Sequence, residues 1–175
     1  YLDLDEDSII QLEVSFRCTV PIMTLAYKVA GDPKKVEGRA GPDPEWKKVD
    51  NFVDLTEALA DWSRGLLRAD PYKLVALICR YPKQAMELKE EMENYLPGEV
   101  RLGHRDQFSF EPGVLVTNIH QVKGLEFDSV ALVEPDEENY PEKREESRNM
   151  IYVGITRTQE DLLLATIRPY SSVLF

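Results

Sequence analysis

Residues 114–130 read V-L-V-T-N-I-H-Q-V-K-G-L-E-F-D-S-V, and this stretch indicates the fold. It begins with an apolar run of β-formers, Val114 to Val116, which is typical of a strand buried on both faces. A dense set of polar groups follows, with hydroxyl, imidazole, ammonium and carboxylate side chains around one glycine: Thr117, His120, Lys123, Gly124 and Glu126. Residues 129–133 then predict a second strand. Strand, polar loop and strand is the pattern with which an open α/β sheet builds a site at its strand ends.

The flanking sequence adds further strands with helices between them. Leu74–Cys79 is the most apolar strand, and 10–14, 99–102 and 162–167 are the other predicted strands. Helices are predicted from Thr19 to the turn at Gly31, from Asp50 or Asn51 to Asp70, from Pro82 to Leu96, and before Arg157. The pattern predicts an α/β fold with a mostly parallel sheet and helices on both faces.

Length and composition favour one soluble domain. The 175 residues, 43% of them hydrophobic, suit a single domain over 1–175 with a real core, and the glycine- and proline-rich segment 31–50 predicts a surface excursion. The opening Tyr1-Leu2-Asp3-Leu4 is not an initiator context, so we expect a fragment of a longer chain. No stretch of about 18 apolar residues and no leader occurs, which predicts a cytoplasmic protein with no membrane contact.

The charge restricts what the chain can bind alone. There are 21 basic and 32 acidic residues, giving a net charge of −11, and no basic run occurs. This balance argues against a free-standing nucleic-acid binder, because phosphate contact needs clustered Lys and Arg. Contact with DNA is therefore expected along a narrow strip, helped by another domain. The two cysteines lack CxxC spacing, which indicates reduced thiols, and no metal site is predicted.

Three motifs give the chain a family resemblance. H-Q-V-K-G-L-E-F-D at 120–128 resembles motif V of the UvrD/Rep-type superfamily 1 helicases, and I-Y-V-G-I-T-R at 151–157 resembles their motif VI. L-E-V-S-F-R-C-T at 12–19 is similar to motif IV, with Ser-Phe where the family usually has Asn-Tyr. The resemblance implies a RecA-like domain of the P-loop NTPase type, the C-terminal (2A) half of the motor. The short segment between motifs IV and V, with V-E-G-R-A-G-P-D-P at 36–44, is similar to the compact HelD-like branch.

The resemblance assigns a nucleotide role to five residues. ATP with Mg²⁺ lies between two RecA-like halves in this family, and the N-terminal half holds the metal. Arg157 is implied as the arginine finger and Arg17 as a second catalytic arginine facing the phosphates. Glu126 is implied to bind the ribose hydroxyl, with Gly124 and Lys123 beside it. From the residues alone, Arg157 also suits a helix C-terminal cation, Arg17 a surface ion pair and Glu126 a solvated acid.

The resemblance also implies a nucleic-acid role for Thr117 and His120, through contacts to the backbone of single-stranded DNA. A lone histidine is as often a structural group, so that alternative stays open for His120. The implied partners are the N-terminal RecA-like domain of the same protein, single-stranded or partly duplex DNA, and RNA polymerase or a repair protein.

No phosphate loop G-x-x-x-x-G-K-[ST] and no motif II acid pair after a suitable strand occur in the sequence. The chain alone is therefore expected neither to bind ATP tightly nor to hydrolyse it. Three hypotheses follow: the motor domain of an ATP-dependent DNA helicase, an ATP-driven remodeller of RNA polymerase or another protein–nucleic-acid complex, or a catalytically silent interaction module.

Overall fold

The structure, a computed structural model, describes residues 14–15, 17–104 and 108–175. The strands are β1 Val14–Ser15, β2 Glu37–Gly38, β3 Glu45–Lys48, β4 Leu74–Cys79, β5 Val100–Leu102, β6 Gly113–Asn118, β7 Phe127–Val133 and β8 Thr158–Thr166. The α-helices are α1 Val20–Ala30, α2 Phe52–Ala69, α3 Pro82–Met92 and α4 Glu145–Ile155, and a 3-10 helix covers Ser172–Leu174. Of the strand predicted at 10–14, only Val14 lies within the described residues.

Strands β3 to β8 form one sheet of six strands in the order β3-β8-β7-β4-β6-β5. Every neighbouring pair is parallel. The apolar run Leu74–Cys79 is a central strand, and all six of its residues are buried, because helices cover both faces. The predicted α/β fold with a parallel sheet is confirmed. Strands β1 and β2 pair separately.

The two-residue periodicity of the strands divides the core between the two faces. Ala76 and Ile78 pack on one side of β4 with α1 and α4, which contribute Ile22 and Ile151. The alternate strand residues pack on the other side with α2 and α3, through apolar side chains that include Leu55, Leu59 and Leu88. Each helix buries its apolar stripe against the sheet, as its spacing predicts.

The helix boundaries follow from local signals. Asn51 caps α2, since its side chain accepts a hydrogen bond of 3.0 Å from the Asp54 N–H. Gly31 ends α1 in the left-handed conformation at φ 76°. Helix α3 ends at Met92, before the predicted end at Leu96. Among the described residues, no helix has the length and apolarity needed to cross a bilayer.

Two terminal or surface segments are more ordered than their sequences indicate. The segment 31–48 is largely exposed, yet within it β3 pairs with β8 as an edge strand of the sheet. All four β3 side chains are exposed, so no apolar pattern marks this strand. Backbone pairing with β8 holds it, together with ring contacts of Trp46 with Tyr170 and Phe175. At the other end, residues 169–175 follow the last predicted strand. Val173 and Leu174 are buried in the core beside α1.

Candidate functional site

The sheet separates the predicted site residues into two groups. Glu126 directly precedes β7 and Arg157 directly precedes β8, so both lie at the amino edge of the parallel sheet. Thr117 is the penultimate residue of β6 and His120 follows the strand, so both lie at the carboxyl edge. The connection 119–126 runs from one edge to the other. A single site at the strand ends is therefore replaced by two sites on opposite edges.

At the amino edge, Glu126 holds two partners. Arg17 Nε lies 2.5 Å from Glu126 Oε1, with the two side chains 53% and 34% exposed. Gln159 Nε2 donates a hydrogen bond of 3.3 Å to the other carboxylate oxygen. Glu126 is thus not an isolated solvated acid, and Arg17 makes the surface ion pair that its sequence context left open.

Arg157 is fixed by three hydrogen bonds. Its Nε donates to the Val153 carbonyl at 3.1 Å, and its Nη2 donates to the Thr156 hydroxyl at 3.2 Å. Its Nη1 donates to the Leu125 carbonyl at 3.1 Å, which ties the end of α4 to the connection 119–126. The helix C-terminal role is therefore observed, together with a second one. Burial lowers the pKa of Arg157, and the nearby charge of Arg17 lowers it further.

Gly124 is required by its own backbone conformation. Its φ is +83°, and apart from its chain neighbours no atom of the described residues lies within 4 Å of the position that a Cβ would take. A residue with a side chain would be strained here although it would have room. Lys123, beside it, is exposed.

A third arginine, missed by the sequence analysis, joins the amino edge. Arg39 Nη1 donates to Glu160 Oε1 at 3.1 Å, and Nη2 donates to the Gln159 carbonyl at 2.6 Å. Its own carbonyl accepts from the Val20 N–H at 2.8 Å. Arg39 lies in a glycine- and proline-rich loop with no motif around it, so no local signal marks it.

Cys18 lies beneath these arginines. It is buried, and its Sγ lies 3.7 Å from the Thr156 carbonyl, to which it donates. Burial raises the pKa of the Cys18 thiol, while Arg17 and Arg157 oppose that shift. The described part of the amino edge thus holds three arginines, the carboxylates of Glu126 and Glu160, and a buried thiol.

At the carboxyl edge, Thr117 does not reach the surface. Its hydroxyl donates a hydrogen bond of 2.8 Å to the Gly103 carbonyl, and the residue is fully buried. This geometry gives Thr117 a structural role between β6 and the end of β5, and it does not support the direct nucleic-acid contact predicted from the sequence. His120 is exposed, and its Nε2 lies 3.0 Å from Arg80 Nη1.

Arg80 is the second functional candidate that the sequence analysis missed. It follows the buried strand β4 directly and is only 6% exposed. Its guanidinium lies 4.8 Å from the centre of the Tyr81 ring and 5.6 Å from that of Tyr140. The sequence contained one signal for Arg80: it is a cation at the carboxyl end of the most apolar strand. Ligand sites lie at the carboxyl ends of parallel strands.

No metal site is seen among residues 17–104 and 108–175. These residues contain no group of three or more His, Cys, Asp or Glu side chains that could hold a metal ion.

The fold is that of the RecA-like C-terminal domains of helicases. Residues 98–169 match the family model of the UvrD-like helicase C-terminal domain. The match extends from the lead into β5 to the residues after β8, and it includes Glu126 and Arg157. The fold and this match agree: residues 98–169 are similar to the UvrD-like helicase C-terminal domain.

Two solved structures show the same fold. The C-terminal domain of a possible DNA helicase from Lactobacillus plantarum WCFS1 matches with a TM-score of 0.76 and 23% identity, over 92% of this chain and 92% of that chain. The SWI2/SNF2 ATPase core from Sulfolobus solfataricus, solved in complex with double-stranded DNA, matches with a TM-score of 0.58 and 10% identity. That match covers 91% of this chain and 34% of the other. A comparison with curated protein sequences finds no match.

Proposed function

We propose that the chain is the second motor domain of an ATP-dependent superfamily 1 DNA helicase of the compact HelD-like type. It supplies Arg157, Arg17 and Glu126 to an ATP site that an N-terminal RecA-like domain of the same protein completes. One observation supports this most directly: three residues from separate parts of the chain meet at the amino edge. Arg17 forms an ion pair with Glu126, and the charge of Arg17 lowers the pKa of the nearby Arg157.

The chemistry of phosphoryl transfer explains why such a patch is useful. Catalysis comes mainly from positioning and charge, and an arginine finger contributes roughly a thousandfold or more in rate. Arg157 is oriented by the carbonyls of Val153 and Leu125, so part of its conformational entropy is already lost before it meets a phosphate. In the proposed complex, the γ-phosphate replaces Glu126 as the partner of Arg17, and Glu126 accepts a ribose hydroxyl instead.

The remaining parts of the ATP site come from the other motor domain. The sequence carries no phosphate loop, so the triphosphate and Mg²⁺ are held from the facing side in this proposal. Lys123 and Gly124 lie on the same connection as Glu126 and border the nucleotide.

The carboxyl edge is the proposed contact with single-stranded DNA. His120 is exposed there and follows the end of β6. Because its net charge is −11, the domain would hold DNA through a few positioned hydrogen-bond donors and with the help of the N-terminal domain.

The test is ATP turnover by the full-length protein that carries this domain, with and without oligothymidylate. The proposal expects turnover that single-stranded DNA stimulates and that falls when Arg157 is replaced. Turnover that ignores DNA and responds to RNA polymerase would favour a remodeller. No turnover under any of these conditions would leave only the interaction module.

A further inference from the structure

Arg80 is a buried cation whose position is fixed from several sides. Its guanidinium lies between the Tyr81 and Tyr140 rings, at 4.8 and 5.6 Å from the ring centres. Its Nη2 lies 3.8 Å from Glu146 Oε1 in the first turn of α4, which is long for an ion pair. Its Nε is buried and has no hydrogen-bond partner among the residues that the structure describes. The Tyr81 ring and the buried Tyr140 ring favour a planar cation here.

The close polar contact of this guanidinium is His120. Arg80 Nη1 and His120 Nε2 are 3.0 Å apart. A guanidinium offers donors only, so Nη1 donates and Nε2 accepts. A ring nitrogen that accepts carries no proton, so the neutral imidazole carries its proton on Nδ1.

We propose that Arg80 is a positioning residue that fixes His120 in the Nδ1–H tautomer, so that this exposed histidine presents one aimed donor at the carboxyl edge. The acceptor that suits a single N–H donor here is a non-bridging oxygen of a phosphodiester. Arg80 itself is 6% exposed and acts through His120. The nucleic-acid part of this inference rests on the proposed function, whereas the tautomer does not.

Nitrogen-15 NMR of the 175-residue chain tests the tautomer directly. The chain has two histidines, His104 and His120, so the His120→Ala spectrum assigns both rings. Long-range proton–nitrogen correlations distinguish a protonated Nδ1 from a protonated Nε2. The expected result for His120 at neutral pH is a protonated Nδ1. A protonated Nε2 in the wild-type chain overturns the proposal, and His104→Ala gives the same assignment should His120→Ala fail to fold.

Substitution of Arg80 tests the cause. Arg80→Met keeps an unbranched side chain between the two tyrosines but has no donor. His120 is expected to move towards the Nε2–H tautomer, which free imidazole side chains favour, while His104 stays unchanged. Arg80→Lys keeps a donor and is expected to retain more of the Nδ1–H form. A folded Arg80→Met chain whose His120 stays protonated at Nδ1 overturns the proposal.

The side-chain amides of Asn and Gln separate the two nitrogens functionally. The Asn amide nitrogen overlays Nδ1 of histidine, and the Gln amide nitrogen overlays Nε2. In the full-length protein at fixed salt, His120→Asn should bind oligothymidylate within about threefold of wild type, and His120→Gln should bind about tenfold more weakly. His104→Asn is the matched control. The reverse order for Asn and Gln contradicts the Nδ1 donor.

Failure of the proposed function gives a different result. If the full-length wild-type protein does not bind oligothymidylate, the nucleic-acid assignment of the carboxyl edge is wrong. The NMR result still decides whether Arg80 fixes the tautomer of His120.

Discussion

Arg17 Nε and Glu126 Oε1 are 2.5 Å apart, so the two groups that we assign to opposite ends of the nucleotide are each other's partners in the structure. Both side chains are partly exposed to solvent, which makes this ion pair weak and easy to exchange. Binding of ATP would then replace one ion pair with two contacts to the ligand. The predictions below concern the groups around this pair and the residues that hold them.

Replacement of Arg157 should abolish most of the ATP turnover. In the full-length protein, Arg157→Ala is expected to lower kcat for ATP by about a hundredfold or more, because a donor aimed at transition-state charge is lost. Thermal unfolding of the same variant must be followed, since Arg157 also bonds the Leu125 and Val153 carbonyls. Arg157→Lys is the control, because it keeps the positive charge but lacks the planar N–H donors of the guanidinium. Turnover close to wild type in a folded Arg157→Ala protein would remove Arg157 from the transition state.

Replacement of Glu126 should weaken nucleotide binding more than it slows chemistry. Glu126→Ala is expected to raise the KM for ATP by about tenfold, because a charged hydrogen bond to the ribose is worth roughly that factor. Gln159→Ala, which removes only the neighbour of the carboxylate, should have a smaller effect. Steady-state kinetics of the full-length protein measure both variants. An unchanged KM in Glu126→Ala would rule out the ribose contact.

Thr117 should matter for stability. Thr117→Val is expected to lower the free energy of unfolding by about 1–3 kcal/mol, because the buried Gly103 carbonyl loses its donor. Thr117→Ser keeps the hydroxyl and should recover part of this loss. Urea unfolding of the chain measures both. If Thr117→Val instead reduced affinity for oligothymidylate and left stability unchanged, the direct contact predicted from the sequence would be reinstated.

Two glycines make a matched pair for backbone strain. Gly124→Ala should destabilise the chain by roughly 1–2 kcal/mol, because alanine must adopt φ near +83°. Gly65 lies inside α2, and apart from the backbone of its own helix no atom of the described residues lies within 4 Å of its Cβ position. Gly65→Ala should therefore stabilise the chain by about 0.5–1 kcal/mol. Equal effects of the two substitutions on the denaturant midpoint would contradict this explanation.

The loss of folding stability at acidic pH should depend on Lys73. The Lys73 Nζ lies 3.0 Å from Glu160 Oε2, and this hydrogen bond lowers the pKa of Glu160 below its ordinary value of 4.5, with Arg39 adding to the effect. The folded state then binds this proton less tightly than the unfolded state does. The stabilisation is therefore present above the ordinary pKa and is lost as the pH falls through the lower folded value.

Lys73→Met should flatten the pH dependence of stability in that window. Urea midpoints measured between about pH 6 and pH 3 for the two chains provide the comparison. Parallel curves for wild type and Lys73→Met would mean that Lys73 does not set the pKa of Glu160.

The fold could be predicted from the sequence wherever the apolar side chains follow the pattern of a strand or a helix. Leu74–Cys79 is apolar at every position, and Leu55 and Leu59 mark the inner face of α2, so both elements could be predicted. Strand β3 could not, because its four exposed residues are held by backbone hydrogen bonds and by ring contacts of Trp46 with the distant Tyr170 and Phe175. The burial of Val173 depends on packing against α1, and no local sequence pattern predicts that packing.

The site residues could be named from motifs, but their arrangement could not. Glu126 and His120 are six positions apart in the chain, yet they lie at opposite edges because the connection between them crosses the sheet. Arg39 and Arg80 were missed for a related reason. Each acquires its position from contacts with residues that are distant in sequence, Glu160 and His120 respectively.

The connection 119–126 can extend only to a limited degree beyond the distance that it spans. Asn118 is level with Cys79 and Ser129 with Val75 across the ladders of β4, so its ends are roughly 22 Å apart by strand rise and spacing. Nine Cα–Cα steps reach at most about 31 Å when fully extended. Ile119 and Val122 are also buried within it. A displacement of Glu126 that exceeds this reserve of about 9 Å must pull on His120, and a smaller one must first break the packing of Val122, so the connection limits how far the two edges can move apart.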